Sequence, residues 1–198
     1  MSLFIESIRI HDGKIENLGK HQERVSRTLE AFFPEHSLWS LKQRLSQERI
    51  PSLGTYKCRV LYGSKPFSVG IMRYTLPSIS SLQLVDVENV EYAFKSEDRS
   101  QLDALFSKRN TADDILIVQQ GLITDSYYAN VAFLEKGVWV TPKKPLLLGT
   151  RRAKLLEEGV IIQDDIAVDQ LGQYEEVSLF NAMIPLESIR IPIKKILR

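Results

Sequence analysis

The 198-residue sequence contains a single cysteine, Cys58, which excludes an internal disulfide framework and favours a reducing compartment. No apolar run approaches the about 20 residues of a membrane-spanning helix, and the N-terminus shows no secretory pattern. Neither sign of charge is in excess, because 26 Lys and Arg residues accompany 25 Asp and Glu residues. The composition therefore predicts a cytoplasmic, soluble protein without electrostatic attraction for nucleic acid or an anionic membrane.

The motifs of several large enzyme classes are also absent. The sequence has no G-x-S-x-G, no H-E-x-x-H, no paired C-x-x-C and no G-x-x-x-x-G-K. Its three histidines, His11, His21 and His36, all lie within the first 40 residues. They could form a metal site, but surface or helix-face positions are the commoner use of such residues, so we predict no metal.

Hydrophobic periodicity predicts an α+β protein with two lobes, over residues 1–80 and 81–198. The tract Pro77–Ser81 is the best candidate for the linker between them, because proline and serine favour irregular backbone. Short hairpins dominate the second lobe, with helices between them. This order argues against a doubly wound parallel sheet.

The first lobe begins with an alternating strand over Phe4–Ile10. The period then changes to three or four residues, which predicts an amphipathic helix from about Leu18 that ends before Pro34. The other elements expected in this lobe are a helix from Leu38 to about Gln47, with Ser37 as a possible cap, and strands over 55–62 and 67–74.

The second lobe is expected to contain two helices, over Gln101–Arg109 and from Arg151 to about Glu158, the latter capped by Gly159. Its short apolar runs predict strands over 82–87, 115–118, 122–124, 130–134, 138–140, 160–163, 177–180 and 184–189.

Three features in chain order point to one cofactor. Lys95 precedes a helix, Asp125 ends a strand about thirty residues later, and Gly149-Thr150 opens a further helix. Pyridoxal phosphate needs a lysine for its Schiff base, a carboxylate facing the pyridinium nitrogen and backbone N–H groups for its phosphate. Taken singly, Lys95 is a solvated lysine, Asp125 a turn residue and Gly149-Thr150 a helix start, so order and spacing carry the interpretation.

Six segments in the right order resemble the class IV aminotransferases, the fold-type IV pyridoxal-phosphate enzymes. That family includes branched-chain aminotransferases, D-amino-acid aminotransferases and aminodeoxychorismate lyase. The segments are Phe4–Arg9 (F-E-T-I-R in the family), His21–Arg24 (H-x-x-R), Lys95 with Arg99 (K-x-x-x-R), Ile123–Phe133 (V-T-E-x-x-x-A-N-x-F), Leu148–Arg151 (G-I-T-R) and Glu175–Met183 (D-E-V-x-x-x-N-A).

The resemblance implies a small α/β lobe, a larger pseudo-barrel lobe with helices that carries the cofactor lysine, and a cleft between them for pyridoxal 5′-phosphate. It also implies a homodimer that acts on a small amino substrate. Lys95 would form the internal aldimine and then act as general base, and Asp125 would face the pyridinium nitrogen. The remaining implied positions are Arg24, Gly149, Thr150, Asn181 and Ala182 for cofactor binding, and Lys57 and Arg59, two strand residues that are equally typical of a plain surface, for a substrate carboxylate.

Within the family, Arg99 and Asn181-Ala182-Met183 favour a 4-amino-4-deoxychorismate lyase, which releases pyruvate and forms the folate precursor 4-aminobenzoate. An amino-acid aminotransferase is the first alternative. A non-catalytic family member is the second, for two reasons. The chain starts directly at the F-E-T-I-R-like strand, without the family's usual N-terminal segment, and it has Asp125 where the family usually has glutamate.

Overall fold

The computed structural model describes residues 2–198, which form two compact units. The first unit comprises the residues up to Leu76 together with Phe94–Asp98, and the second comprises Pro77–Ala93 and Arg99–Arg198. Lys95 thus belongs to the first unit, although the sequence placed it in the larger lobe. The reason is that its segment hydrogen-bonds to the first strand of the chain. The expected α+β class is confirmed.

The first unit is a four-stranded antiparallel sheet packed against two helices. Its elements are β1 (Phe4–His11), β2 (Lys14–Ile15), α1 (Leu18–Phe32), α2 (Leu41–Leu45), β3 (Thr55–Tyr62) and β4 (Pro66–Arg73). The strand order is β2-β1-β3-β4. One face of the sheet and one face of α1 share a core of fully buried side chains, among them Ile8, Ile10, Val25, Leu29 and Val60.

Helix α2 is shorter than its sequence pattern predicts, because its cap lies at Ser40 and not at Ser37. The Ser40 Oγ accepts a hydrogen bond from the backbone N–H of Gln43 at 3.2 Å, which satisfies a donor of the first turn. Helix α1 matches its predicted extent and ends at Phe32, before Pro34.

The second unit contains the remaining nine strands and two α-helices. They are β5 (Leu82–Val87), α3 (Ser100–Phe106), β6 (Asp114–Gln119), β7 (Leu122–Ser126), β8 (Asn130–Glu135), β9 (Val138–Pro142), α4 (Thr150–Glu157), β10 (Ile161–Asp164), β11 (Glu176–Phe180), β12 (Arg190–Pro192) and β13 (Ile196–Leu197). Two short 3₁₀ helices cover Val168–Gln173 and Ile193–Lys195. The main sheet has the order β10-β9-β8-β7-β6-β5-β13, and β11 pairs with β8 and β12.

Two features of this unit position the candidate site. The turn at Gln120-Gly121 has positive φ at both residues, 55° and 77°, which suits a tight hairpin and fixes the register of β7. Strand β7 then pairs with β8 so that Asp125 lies directly opposite Asn130.

The prediction of a strand over 184–189 is wrong. Pro185 has no N–H to donate, and Glu187 adopts a positive φ of 67° in a turn that Ser188 closes by donating to the Pro185 carbonyl at 3.2 Å. Strand β12 begins only at Arg190.

Candidate active site

Lys95 lies in an irregular segment that pairs with the edge of β1 through an isolated bridge between Phe4 and Ser96. The Ile5 N–H donates to the Lys95 carbonyl at 2.9 Å, and the Glu97 N–H donates to the Leu3 carbonyl at 2.8 Å. These bonds hold the backbone at the lysine and just after it, and the lysine itself is half-buried. The candidate lysine is therefore anchored to the first unit by main-chain hydrogen bonds.

A buried charged cluster connects the same strand to helix α1. Glu6 of β1 accepts from Arg24 at both carboxylate oxygens, from Nε at 2.8 Å and from Nη2 at 2.6 Å. His21, one turn earlier on α1, lies with Nδ1 2.6 Å from Glu6 Oε2. Glu6 is 0% exposed, His21 1% and Arg24 6%. The predicted phosphate arginine is thus a buried side chain held by a carboxylate, and not a helix-surface residue.

The charges in this cluster set its protonation. Burial raises the pKa of Glu6, but the charge and hydrogen bonds of Arg24, with help from His21, outweigh burial and bring that pKa to about 2. Burial lowers the pKa of His21, and the positive charges of Arg24 and Lys95 lower it further against the opposing effect of Glu6. Neutral His21 therefore donates its Nδ1–H to a carboxylate that stays ionised.

The two basic residues proposed for a substrate carboxylate lie on one face of β3. Lys57 and Arg59 are both half-buried, opposite to the core face occupied by Cys58 and Val60. Arg59 Nη2 is 3.0 Å from Glu97 Oε1, in the lysine segment. An incoming carboxylate would compete with Glu97 for this guanidinium.

In the second unit, Asp125 has a buried carboxyl group with a donor at each oxygen. Asn130 Nδ2 donates to Oδ1 at 2.8 Å, and the Leu147 N–H donates to Oδ2 at 2.9 Å. Burial raises the pKa of Asp125 to about 7, although these hydrogen bonds and the positive charge of Arg152 oppose the shift. Asp125 is thus a buried acid whose pKa lies close to neutral pH, and such shifted pKa values are typical of functional carboxyl groups.

Asn130 links this acid to the start of helix α4. Its Nδ2 also donates to the Leu147 carbonyl at 2.9 Å, and its Oδ1 lies against Gly149. Gly149 caps α4 from an extended conformation, and Thr150 opens the helix as a buried residue. Asn130 therefore joins the acid to the segment that leads into the N-terminus of α4, a helix end that attracts anions.

The close approach at Gly149 leads to a prediction about folding. An alanine Cβ at position 149 would overlap Asn130 Oδ1, and Asn130 is held by two hydrogen bonds. We expect Gly149→Ala to lower the free energy of unfolding by about 1–3 kcal/mol. Urea denaturation followed by circular dichroism measures this. Gly172→Ala is the matched control in the same unit, because nothing lies within 4 Å of its new Cβ. Equal losses in both variants would contradict the overlap.

Asn181 and Ala182 lie next to α4 through the side chain of Arg151. Arg151 donates to the Asn181 carbonyl at 2.7 Å and to the Ala182 carbonyl at 3.0 Å. The Asn181 amide oxygen accepts from the N–H groups of Met183 and Ile184, which folds the chain into a turn. The structure therefore brings the Asn181-Ala182 backbone and helix α4 together, while the Asn181 side chain shapes the turn.

Arg99, four residues after Lys95, is held by tyrosines. Its guanidinium carbon is 4.7 Å from the ring centres of both Tyr127 and Tyr128 and 5.6 Å from that of Tyr92. It also donates to the Tyr127 carbonyl at 2.7 Å. These contacts stabilise the turn between β7 and β8, directly after Asp125.

Sequence reasoning missed two buried side chains near the candidate residues. The sequence motif presents Glu6 only as part of a strand, although Glu6 alternates with Phe4 and Ile8 on the core face, where an acid signals a buried partner. Arg152 is 4% exposed and donates to the Pro142 carbonyl at 2.7 Å and to Gln163 Oε1 at 3.2 Å.

Within residues 2–198 no group of acidic, histidine or cysteine side chains is arranged to hold a metal ion. Over the same range, none of the helices combines the length and the apolar character that crossing a membrane requires.

Comparison with known proteins gives consistent matches. The family model for amino-transferase class IV matches residues 3–191. The crystal structure of a "putative 4-amino-4-deoxychorismate lyase" from Haemophilus somnus is 32% identical, with a TM-score of 0.88 over 94% of this chain and 98% of that one. A "Putative aminodeoxychorismate lyase" of Schizosaccharomyces pombe is 44% identical over 86 residues, which are 40% of this chain and 36% of that protein.

A more distant structure shares the fold. It is the PLP-bound form of a hypothetical aminotransferase from Mycobacterium tuberculosis, 16% identical, with a TM-score of 0.74 over 96% of this chain and 80% of that one.

Proposed function

The chain belongs to the class IV aminotransferase family of pyridoxal-phosphate-dependent enzymes, and we propose that it binds pyridoxal 5′-phosphate and acts as a 4-amino-4-deoxychorismate lyase. Such an enzyme releases pyruvate and forms 4-aminobenzoate, a folate precursor. The lyase assignment is supported by the 32% and 44% identities to proteins named for that activity. Arg99 and Asn181-Ala182-Met183, which resemble the lyase pattern, support it further.

The side chains of the two units fit the cofactor by their chemistry. The first unit offers a primary amine at Lys95 and a buried guanidinium at Arg24. The second offers a buried carboxyl at Asp125 and the N-terminus of α4 at Gly149-Thr150. The observation that carries the proposal is the Asp125–Asn130–Leu147 network, since it joins an acid that would face the pyridine nitrogen to the segment before a helix start that would bind the phosphate.

When bound, the cofactor withdraws electrons from the bonds of the substrate carbon that bears the amino group. Lys95 would hold the cofactor covalently through its ε-amine. Released by the substrate, that amine would act as the general base that moves the proton at this carbon.

Arg24 and the N–H groups of Gly149, Thr150 and Ala182 would bind the phosphate, because a guanidinium and a helix N-terminus both favour a dianion. The Asn181 side chain would contribute by holding the turn that presents Ala182.

Asp125 would keep a proton on the pyridine nitrogen by the attraction between a carboxylate and a ring cation. Aspartate is one methylene shorter than the glutamate usual in the family. Lys57 and Arg59 would bind a substrate carboxylate, and Arg59 would then exchange its contact with Glu97 for one with the substrate.

The discriminating experiment is a product assay with the purified protein and added cofactor. A lyase converts 4-amino-4-deoxychorismate into equal amounts of pyruvate and 4-aminobenzoate, which liquid chromatography and a coupled pyruvate assay both measure. We expect both products. Formation of 2-oxo acids from a panel of L- and D-amino acids, without 4-aminobenzoate, would instead identify an aminotransferase. A folded protein that forms neither product would support the non-catalytic alternative.

The aminotransferase is retained as the second candidate because the Mycobacterium tuberculosis aminotransferase has the same fold. A homodimer and a cytoplasmic location are implied by the family resemblance and stay predictions.

A further inference from the structure

We propose that Glu6 is a positioning residue for cofactor binding: it holds the guanidinium of Arg24 in the plane and orientation that the phosphate requires. The inference rests on the proposed function, because it assumes that Arg24 binds the phosphate. It adds a residue that does not itself touch the cofactor.

The first argument is the geometry of the pair. Both carboxylate oxygens of Glu6 are used, one by Nε and one by Nη2 of Arg24, at 2.8 and 2.6 Å. Two parallel bonds between planar groups fix the guanidinium against rotation, which a single bond would not do. A guanidinium has five N–H donors, so a carboxylate that accepts two of them is compatible with a second anion.

The second argument is that other contacts of Glu6 fix its own position. Its side chain is fully buried on the core face of β1, between the positions of Phe4 and Ile8. His21 donates to the same carboxylate from Nδ1 at 2.6 Å, which orients Glu6 from the adjacent turn of α1. A buried carboxylate with these partners cannot move without leaving charges unpaired.

The third argument is the role of β1 in placing the lysine. Ile5, the residue before Glu6, donates its N–H to the Lys95 carbonyl at 2.9 Å. Consecutive residues of one strand therefore fix Lys95 through the main chain and Arg24 through a side chain. A strand used in this way sets the separation of the Lys95 main chain and the Arg24 guanidinium.

The experiment compares the affinities of the apoprotein for two probes, pyridoxal 5′-phosphate and pyridoxal, by absorbance titration. Only the first has the phosphate. We expect Glu6→Gln to lower the affinity for pyridoxal 5′-phosphate by about 10- to 100-fold and to change the affinity for pyridoxal by less than about 2-fold. Arg24→Met should have the same selective effect. In the double variant the two losses should not add, because Glu6 acts through Arg24.

Two further variants complete the design. Glu48→Gln is the matched control, since it removes a carboxylate that pairs with Arg44 at 2.7 Å in the same unit, and it should change neither affinity. Glu6→Asp keeps the buried charge and shortens the side chain. If Glu6→Gln does not fold, Glu6→Asp should still lower the affinity for pyridoxal 5′-phosphate by about 3- to 10-fold and leave the affinity for pyridoxal unchanged.

The outcomes separate the inference from the proposed function. If Arg24→Met leaves both affinities unchanged, the phosphate assignment of Arg24 is wrong and the role of Glu6 is wrong with it. If Arg24→Met is selective and the Glu6 variants are not, Arg24 binds the phosphate without help from Glu6. Equal weakening of both probes by the Glu6 variants would show a purely structural role and overturn the inference.

Discussion

Replacement of Lys95 by alanine is expected to abolish the visible absorbance of the covalently held cofactor and to lower turnover by at least about 10³-fold. The expected loss is this large because one amine would serve both as the covalent attachment point and as the general base. The fold should survive, since the hydrogen bond from Ile5 to the Lys95 carbonyl involves only the main chain. Spectroscopy of the reconstituted protein and a steady-state assay measure the two effects.

Lys42→Ala is the control for this experiment, because Lys42 is an exposed lysine on α2 of the same unit. It should keep both the absorbance band and turnover. A small added amine such as methylamine should restore part of the turnover of Lys95→Ala by supplying the missing base. If Lys95→Ala retains the band, another lysine holds the cofactor and the assignment of Lys95 is wrong.

Replacement of Asp125 by asparagine is expected to lower turnover by about 10²- to 10³-fold, since the variant would lose the charge that is proposed to keep the pyridine nitrogen protonated. Asparagine has nearly the same size but only one acceptor oxygen, so one of the two donors that face it, Asn130 Nδ2 or the Leu147 N–H, loses its partner. The free energy of unfolding should therefore fall by about 1–3 kcal/mol, and the fold should persist. A large loss of stability with turnover retained would favour a structural role for Asp125.

The same substitution changes the pH dependence of folding. The pKa of Asp125 is raised from 3.8 to about 7, so the folded apoprotein holds this proton more tightly than the unfolded chain does. This contribution to stability is present at low pH and is lost as the pH rises from about 4 through about 7. Asp125→Asn should therefore lose less stability than the wild type between pH 5 and pH 8, as measured by urea unfolding.

Asp165→Asn, at an exposed aspartate of the same unit, should follow the wild type. Asp114 is also buried and its pKa is raised to about 6. The wild type and both variants therefore share a loss of stability with rising pH that is due to Asp114. The difference between the variants isolates Asp125. Identical pH profiles for wild type and Asp125→Asn would contradict the raised pKa.

The long elements could be predicted from the sequence because their periodicity extends over many residues. Helix α1 and strand β1 each present a regular apolar face. The prediction of a strand over 184–189 is wrong because its apolar pattern extends over only a few residues and Pro185 has no N–H to donate. The predicted cap of α2 at Ser37 is wrong because Ser37 and Ser40 are equally good caps by residue type, and only the hydrogen bond of Ser40 distinguishes them.

The residues of the candidate site also fall into those that the sequence predicts and those that only the structure reveals. Lys95, Asp125 and Gly149-Thr150 follow from motif order, which is a property of the sequence. The pairing of Glu6 with Arg24 joins residues 18 positions apart, and no local pattern specifies which basic residue meets an inward-facing acid. Arg151 and Arg152 are neighbours with the same side chain, and only packing shows that the second is the buried one.

The hydrogen bond between residue 5 and residue 95 has a consequence for biosynthesis. During translation, β1 and α1 leave the ribosome long before the lysine segment does, so the first unit cannot be complete until residue 98 has emerged. Closing so large a loop has an entropic cost that local contacts do not repay, which makes this pairing a late event in folding. The first unit consequently places its candidate amine only after this late pairing, and capture of the proposed cofactor would follow it.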